Sequence, residues 1–520
     1  MNTSPGTRLI KNSVLNLFNT FFMFSTSWII SIWVARQLGP ANYGIFNLVL
    51  WITGIFSWVV GMGLIHAVTK FVAEHHEKKN ENITGAIVGF VFKLELILSA
   101  VTTVILCFFV TPIADFFFTP KESFFFLLAF LGIVPGVVTA IFSATIEGIQ
   151  KFEYFTIAGL IITPLSFGAK LIALWLGYGI YGILTVMLIF SFVNVLFYYI
   201  VLRKEGIIIK GEKLLPALRH RIFKYNGSVM AILLCDKIVW DKSENFFLGR
   251  FCTAEQVGFY NLGFNLAQKI MQFLPQTFWR VLFPAMSSYF GSGEGKKSKR
   301  LFFIATRYLA FFAFPAGVIG AILAYPLILH LYGREFLGAQ RVLQIIFLSS
   351  ILSSLANPAA AILYGYEKQS FIYKYGIVLA VINLVINFFV IKEYGALGAA
   401  ACYGIITILA SIGGLIYTCR TMKLDYPFVS VVKIMFSIII TGIVMVLIIQ
   451  RSHDVWAYIL ALIAGLSAYS ICSLIMGTFE AEDYILLENI KLILPGRSKK
   501  IVTVFINFVS QFKTSGSKPL

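Results

Sequence analysis

The sequence predicts an all-α polytopic membrane protein of about fourteen transmembrane helices: two six-helix lobes in parallel repeat, then two extra C-terminal helices. Three observations predict it. Of 520 residues, 58% are hydrophobic and 13% are charged, and the mean hydropathy of +0.85 lies far outside the range of soluble globular proteins. Lys and Arg gather in alternate breaks between apolar runs, as topology demands of a multi-pass chain. Short motifs recur in order at a nearly constant offset.

Apolar runs place spans near residues 12–36, 45–69, 84–110, 123–146, 154–176, 180–202, 226–249, 256–279, 301–325, 340–363, 370–391, 396–419, 430–450 and 455–477. The first run is too long for a signal-peptide core and is expected to be retained. Pro135, Pro164, Pro275, Pro315 and Pro358 fall inside spans and predict bent helices. With an even span count, inner segments hold 30 Lys and Arg against 7 in outer segments, so both termini are expected in the cytoplasm of a plasma or inner membrane. That distribution explains the net charge of +18 without nucleic acid as a partner. The six cysteines, Cys107, Cys235, Cys252, Cys402, Cys419 and Cys472, are scattered and give neither a disulfide framework nor a metal site, and no cofactor is expected.

The repeat is read from four echoes. "YGIFNLVL" at 43 matches "VGFYNLGF" at 257, and "VTPIADFFF" at 110 matches "AYPLILHLY" at 324, both offset by 214. "EGIQKF" at 147 matches "YGYEKQ" at 364 with Gly148 facing Gly365, offset 217, and "GYGIYG" at 177 matches "EYGALG" at 393, offset 216. Equivalent positions lie six spans apart, so the halves enter the membrane in the same direction. The expected organisation is a first lobe over 1–202, a cytoplasmic linker over 203–225, a second lobe over 226–419, two further helices over 420–477, and a basic amphipathic tail over 478–520. In that tail Val502, Phe505, Val509 and Phe512 share one face between Lys499, Lys500 and Lys513, which suits the anionic inner leaflet.

Charge inside the membrane marks the candidate site. "CDKIVWDKSENFF" at 235–247 carries Asp236, Lys237, Asp241, Lys242 and Glu244. Five charges facing lipid would cost on the order of 10 kcal/mol in total, so they must face water or one another. On a continuous helix Lys237, Asp241 and Glu244 share a face. Lys93 and Glu95 in the third span and Lys269 in the eighth also fall near mid-membrane, and Lys170 lies nearer the outer end of the fifth. Pairing between these charges and the lining of a hydrated cavity are the two readings. Asn12, Asn16 and Asn19, followed by Ser25, Thr26 and Ser27, read as interhelical hydrogen-bond glue in the first span.

"RLIKNSVLNLFNTF", "ARQLGPANYGIFNLV", its echo "LGRFCTAEQVGFYNL" and "LYGREF" resemble the polysaccharide biosynthesis or oligosaccharide flippase (Wzx-like) family. That family belongs to the multidrug/oligosaccharidyl-lipid/polysaccharide exporter superfamily, and the resemblance covers residues 1 to about 477. It implies a MATE-like fold and movement of a polyprenyl-pyrophosphate-linked oligosaccharide from the cytoplasmic to the outer leaflet by alternating access, with no enzymatic step. Lys237, Lys269, Lys93, Lys242 and Lys170 are then the expected contacts for the anionic pyrophosphate. Asp236, Asp241, Glu244 and Glu95 are expected to balance those charges or to carry a coupling proton or sodium ion. Membrane lipids and glycan-assembly enzymes are the other expected partners. A cation antiporter on the same fold would need an acidic cavity, which the lysines oppose. A glycan polymerase or glycosyltransferase would need a larger catalytic loop than the basic segment 203–225, and a scaffold would not need buried charge.

Overall fold

A computed structural model describes residues 5–61, 63–77, 81–118, 122–207, 214–240, 242–452, 454–478 and Asp483; the side chains of residues 5–25, 27, 77, 81, 228, 229, 231–240 and 369 are outside the description. The expected tail helix therefore lies outside the described residues, as do Lys121 and Lys210. Among the described residues every regular element is helical. The chain runs α1 (Pro5–Gly61), α2 (Leu64–Glu77), α3 (Glu81–Phe108), α4 (Val110–Phe117), α5 (Ser123–Leu131), α6 (Ile133–Gly148), α7 (Glu153–Trp175) and α8 (Gly179–Lys204). It continues through α9 (Pro216–Trp240), α10 (Glu244–Phe251), α11 (Ala254–Gly291), α12 (Gly295–Ile322), α13 (Ala324–Leu331), α14 (Gln340–Gly365), α15 (Gln369–Met422), α16 (Phe428–Ile449) and α17 (Val455–Ile475).

Ten of the described helices or helix pairs are long and apolar enough to cross a membrane. Two of the longest are broken by a glycine: α1 at Gly39 (φ 71°) and α15 at Gly395 (φ 55°), so each accounts for two of the expected spans. Read this way the helix order is consistent with fourteen crossings. Gly39 precedes Pro40, which has no N–H to donate back into the preceding turn.

Two expected boundaries change. The seventh span is not a continuous helix from 226 to 249: α9 starts at Pro216, ends at Trp240, and the chain restarts as α10 at Glu244. Lys242, between them, has φ 55°, a left-handed conformation incompatible with helix propagation. Proline at the head of α9 supplies a preset helical φ where no intrahelical N–H bond is needed. The eighth span is also longer than its apolar run, since α11 continues to Gly291 through Pro275 and Pro284. The added turns carry Leu282 and Met286, which are buried in a hydrophobic core, so packing carries the helix past Arg280.

The repeat recurs as local geometry. The short helices α4 and α13 start at Val110 and Ala324, the expected offset. Gln150 and Glu367 both adopt positive φ, 58° and 56°, just after the paired Gly148 and Gly365. Gly179 and Gly395 do the same at 51° and 55°. A Cβ on Gly148 would come within 2.8 Å of Val72, and one on Gly365 within 3.0 Å of Met286, so paired glycines accept paired neighbours.

The chain forms two compact units, one comprising 1–261, 332–336 and 384–399 and the other 262–331, 337–383 and 400–520. In the first unit, α3 packs on α2 and α6, and α7 packs on α8 and α1. In the second, α12 packs on α14 and α16 on α17, over a core that includes Leu282, Met286, Phe302, Ala305 and Ile362. Asp483 joins this unit through a buried ion pair with Arg307 and accepts a 2.5 Å hydrogen bond from the Tyr308 hydroxyl.

Candidate functional site

The charged stretch at the seventh crossing is built around the break between α9 and α10. Glu244 and Asn245 open α10 and are buried, at 1% and 0% exposure. The Tyr260 hydroxyl donates to Glu244 Oε2 at 3.0 Å, and Asn261 Nδ2 donates to Asn245 Oδ1 at 2.8 Å. Asn261 Oδ1 in turn accepts from Lys242 Nζ at 3.3 Å. Tyr260 and Asn261 lie on α11, so the network fastens the restart of the seventh crossing to the first turns of the eighth. Its buried amides and carboxylate meet hydrogen-bond partners, where unmet polar groups cost most.

A second cluster lies wholly among α1, α7 and α8. Here a cavity of ≈ 320 Å³ is lined by Ile30 of α1, by Phe155, Gly159, Thr163, Ser166 and Lys170 along one face of α7, and by Asn194 and Tyr198 of α8, with Ala158 and Ile162 beside them. The α7 residues recur at helical spacing, so one stripe of that helix faces the cavity from end to end. Lys170 is half-buried, and among the described residues no carboxylate pairs with it. Seventeen residues beyond Glu153, it stands about 25 Å along the helix. An ammonium beside two hydroxyls, an amide and a phenol suits an anion rather than a cation.

Where α7 begins and α8 ends, Lys151 Nζ lies 3.0 Å from Glu205 Oε2 and the Tyr154 hydroxyl donates to Glu205 Oε1 at 2.5 Å. Partial burial pushes the Glu205 carboxyl up, but the Tyr154 hydroxyl and the Lys151 ammonium outweigh it and hold the group below the ordinary carboxylate range.

The remaining expected residues are dispersed. Asp241 and the side chains of Asp236 and Lys237 lie outside the described residues. Lys269 is half-buried on α11, in the second compact unit. Lys93 and Glu95 do not pair with each other: Lys93 is exposed on the face of α3 that carries Ile97, Val101 and Val104, whereas Glu95 is fully buried and neither of its oxygens has a hydrogen-bond partner. Residues two apart on a helix point about 200° apart, which rules out the pairing. The continuous helix on which Lys237, Asp241 and Glu244 would share a face is interrupted, since α9 ends at Trp240 and α10 starts at Glu244.

Asn245, Tyr260 and Asn261 in the network, and Thr163, Ser166, Asn194 and Tyr198 around the cavity, are not among the residues expected at a site. Asn261 did stand in the repeat motif, and the α7 stripe was available as a helical period leading to Lys170.

A sequence model of the family described as polysaccharide biosynthesis protein matches residues 33–341. A Shigella flexneri relative named for O-antigen transport is 22% identical over 419 residues, covering 78% of this chain and 96% of the relative. A membrane protein of the cps region of Klebsiella pneumoniae is 27% identical over 154 residues, 29% of this chain and 31% of the relative. Among solved structures, the lipid II flippase MurJ in an inward closed conformation superposes with a TM-score of 0.70 at 15% identity, over 89% of this chain and 98% of that one. An inward-facing multidrug resistance MATE family transporter gives 0.64 at 14% identity, over 77% and 94%. At such identities these likenesses establish the fold: all-helical, multi-pass and MATE-like.

Proposed function

We propose a transport function from one premise: the chain belongs to the polysaccharide biosynthesis protein family. It moves a lipid-linked oligosaccharide, carried on a polyprenyl pyrophosphate, from the cytoplasmic to the outer leaflet for cell-surface polysaccharide synthesis. The relative named for O-antigen transport, similar over nearly its whole length, supports this reading. The observation in the structure that carries it is the cationic cavity of α1, α7 and α8. There Lys170 presents an ammonium that no described carboxylate neutralises, in a bundle otherwise selected for apolar side chains.

A lipid-linked sugar leaves its hydrocarbon in the bilayer while its anionic pyrophosphate and hydroxyl-rich glycan need a polar path. A volume of ≈ 320 Å³ matches the pyrophosphate end and a first sugar rather than a whole oligosaccharide. Lys170 holds the anion, and Thr163, Ser166 and Asn194 offer neutral hydrogen bonds that do not trap it. Lys237 and Lys242 remain the further expected contacts for the anion, with Asp236, Asp241 and Glu244 balancing charge. The two lobes, 1–202 and 226–419, alternate access to either leaflet from a protein whose termini are both cytoplasmic, and no covalent step is involved. An unneutralised lysine disfavours the cation antiporter.

Deletion of the gene is expected to leave lipid-linked oligosaccharide on the cytoplasmic leaflet, and reconstituted Lys170→Ala protein to flip it about tenfold more slowly, the loss of one charge-assisted contact. Undiminished outer-leaflet glycan in the deletion strain, with polymer synthesis alone arrested, overturns the proposal in favour of an enzyme.

A further inference from the structure

The second compact unit holds an ion pair that the site above does not use. Arg307 of α12 is 2% exposed, and Asp483, eight residues beyond the end of α17 at Ile475, is 5% exposed. The Asp483 oxygen that meets the Arg307 guanidinium also accepts from the Tyr308 hydroxyl. Arg307 stands twelve residues into α12, about 18 Å along it. Two charges taken this far from water regain little net energy by attracting each other, and an apolar pair of similar volume would hold the same elements as firmly. Such a pair suits a contact that forms in one arrangement and breaks in another.

Pro315 sets what α12 can do. It has no N–H for the carbonyl four residues back, that of Phe311, and its ring crowds the same turn. That carbonyl is met instead by the Tyr469 hydroxyl of α17, at 2.6 Å. Beyond the proline, α12 is fixed to α14: a Cβ on Gly317 would collide with Ile351, and one on Gly320 would come within 2.8 Å of Phe347. Before the proline, Phe302 and Ala305 share a core with Leu282 and Met286 of α11 and with Ala359 and Ile362 of α14. Those α11 residues follow Pro275 and those α14 residues follow Pro358, so this core lies wholly on one side of three prolines. It can swing as one body about them.

The chain leaving α17 is turned toward that body. Gly477 has φ 62°, its carbonyl accepts from Lys433 Nζ of α16 at 3.1 Å, and the Thr478 hydroxyl donates to the Ser473 carbonyl at 2.9 Å. Contacts with α12 then follow in antiparallel order, Tyr469 on Phe311 and Asp483 on Arg307 and Tyr308.

We propose that the Arg307–Asp483 pair is a latch. Closed, it fastens the body formed by α11, α12 and α14 to the chain beyond α17; it opens when that body swings about Pro275, Pro315 and Pro358 during transport. This rests on the transport reading above. Water solvates both charges as they part, so the latch opens at small net cost, whereas an apolar contact would forfeit its whole buried area.

Two measurements test this. In a chain whose six cysteines are replaced by alanine, Thr478→Cys places a thiol next to the latch and leaves both charges in place; Thr478 itself is 5% exposed. Its alkylation by N-ethylmaleimide is expected to be slow at rest, about tenfold faster when Asp483→Asn is added, and severalfold slower than at rest when Pro315→Ala restores the missing N–H. In proteoliposomes that flip lipid-linked oligosaccharide, alkylation is expected to quicken severalfold when that substrate is present. The second measurement replaces the pair by Arg307→Met with Asp483→Leu: Tm should hold or rise while the flipping rate falls about tenfold. Alkylation unmoved by Asp483→Asn, alkylation unmoved by substrate in a protein that does flip it, or a stable apolar-pair variant that flips within about twofold of the natural rate overturns the proposal. If alkylation follows both Asp483→Asn and Pro315→Ala in a protein that moves no lipid-linked oligosaccharide, the latch stands and the transport reading fails.

Discussion

The two repeat-related helix entries, at Gly44 and at Gly258, share a device and differ in what is attached to it. Both belong to the first compact unit, and their backbones meet: a Cβ on Gly44 would lie 1.8 Å from the Ala254 carbonyl oxygen, and one on Gly258 2.1 Å from the Pro40 carbonyl oxygen. The contact is reciprocal, as a repeat about a pseudo-twofold requires. Three residues later each entry places an asparagine that bonds the carbonyl one turn back, Asn47 to Tyr43 at 2.8 Å and Asn261 to Val257 at 3.0 Å. There the likeness stops. Asn47 is half-buried and makes that bond along its own helix, whereas Asn261 is fully buried and also joins Asn245 and Lys242. Backbone proximity follows from the repeat; the polar network follows from the broken seventh crossing, which has no equivalent break beside Asn47.

The comparison can be broken most sharply at the glycines. Gly258→Ala or Gly44→Ala forces a methyl into a backbone carbonyl that has no side-chain freedom to yield, and each is expected to cost about 3 kcal/mol, read as a lowered Tm of the detergent-purified protein. Because both methyls strain the same contact, the double variant should cost less than the sum. A natural Tm for either single variant would refute the touching backbones. At the asparagines, Asn261→Ala leaves the buried Asn245 amide without its 2.8 Å partner and should cost about 2 kcal/mol, against roughly 0.5–1 kcal/mol for Asn47→Ala. Equal losses in chemical or thermal unfolding would erase the asymmetry.

A second repeat pair sharpens the lesson with smaller effects. Gly179→Ala and Gly395→Ala both place a side chain at positive φ, which costs about 1 kcal/mol, but at Gly395 the added Cβ also meets Gln256 Oε1 at 2.8 Å, the atom that accepts from Ala396 N at 2.9 Å. Gly395→Ala is therefore the more destabilising of the two in the same unfolding assay. The smallest difference is in pH. The first repeat ties α7 to α8 through Lys151, Tyr154 and Glu205, while in the second the residue matching Tyr154 is Phe371, stacked on Tyr417 at 3.6 Å between ring centroids. Since the Glu205 carboxyl is held below its ordinary value in the folded protein, its contribution is present above the unfolded carboxylate pKa and is lost as pH falls through the lower folded value. Mild acid should lower Tm slightly in the natural protein and less in Glu205→Gln; identical acid profiles would remove Glu205 from the account.

Much of the fold was legible because lipid leaves few alternatives: helices of bilayer length, and glycines wherever a left-handed turn or close approach recurs. The site was less so. Lys170 was visible as a charge within a span, but that Thr163, Ser166, Asn194 and Tyr198 surround it depends on α8 and α1 lying against one stripe of α7. Lys93 and Glu95 were visible as neighbours in sequence, and only helix packing separated them into an exposed and a buried group.

The sequence by itself determined a helical membrane protein with a parallel internal repeat, because hydropathy, charge asymmetry and glycine position act locally and need no partner. Only the tertiary structure decided where the seventh crossing breaks, which asparagine is buried in a network and which carboxyl has no partner. Those outcomes depend on which helix faces lie together, and a helix carries no record in its own sequence of the neighbour that will cover it.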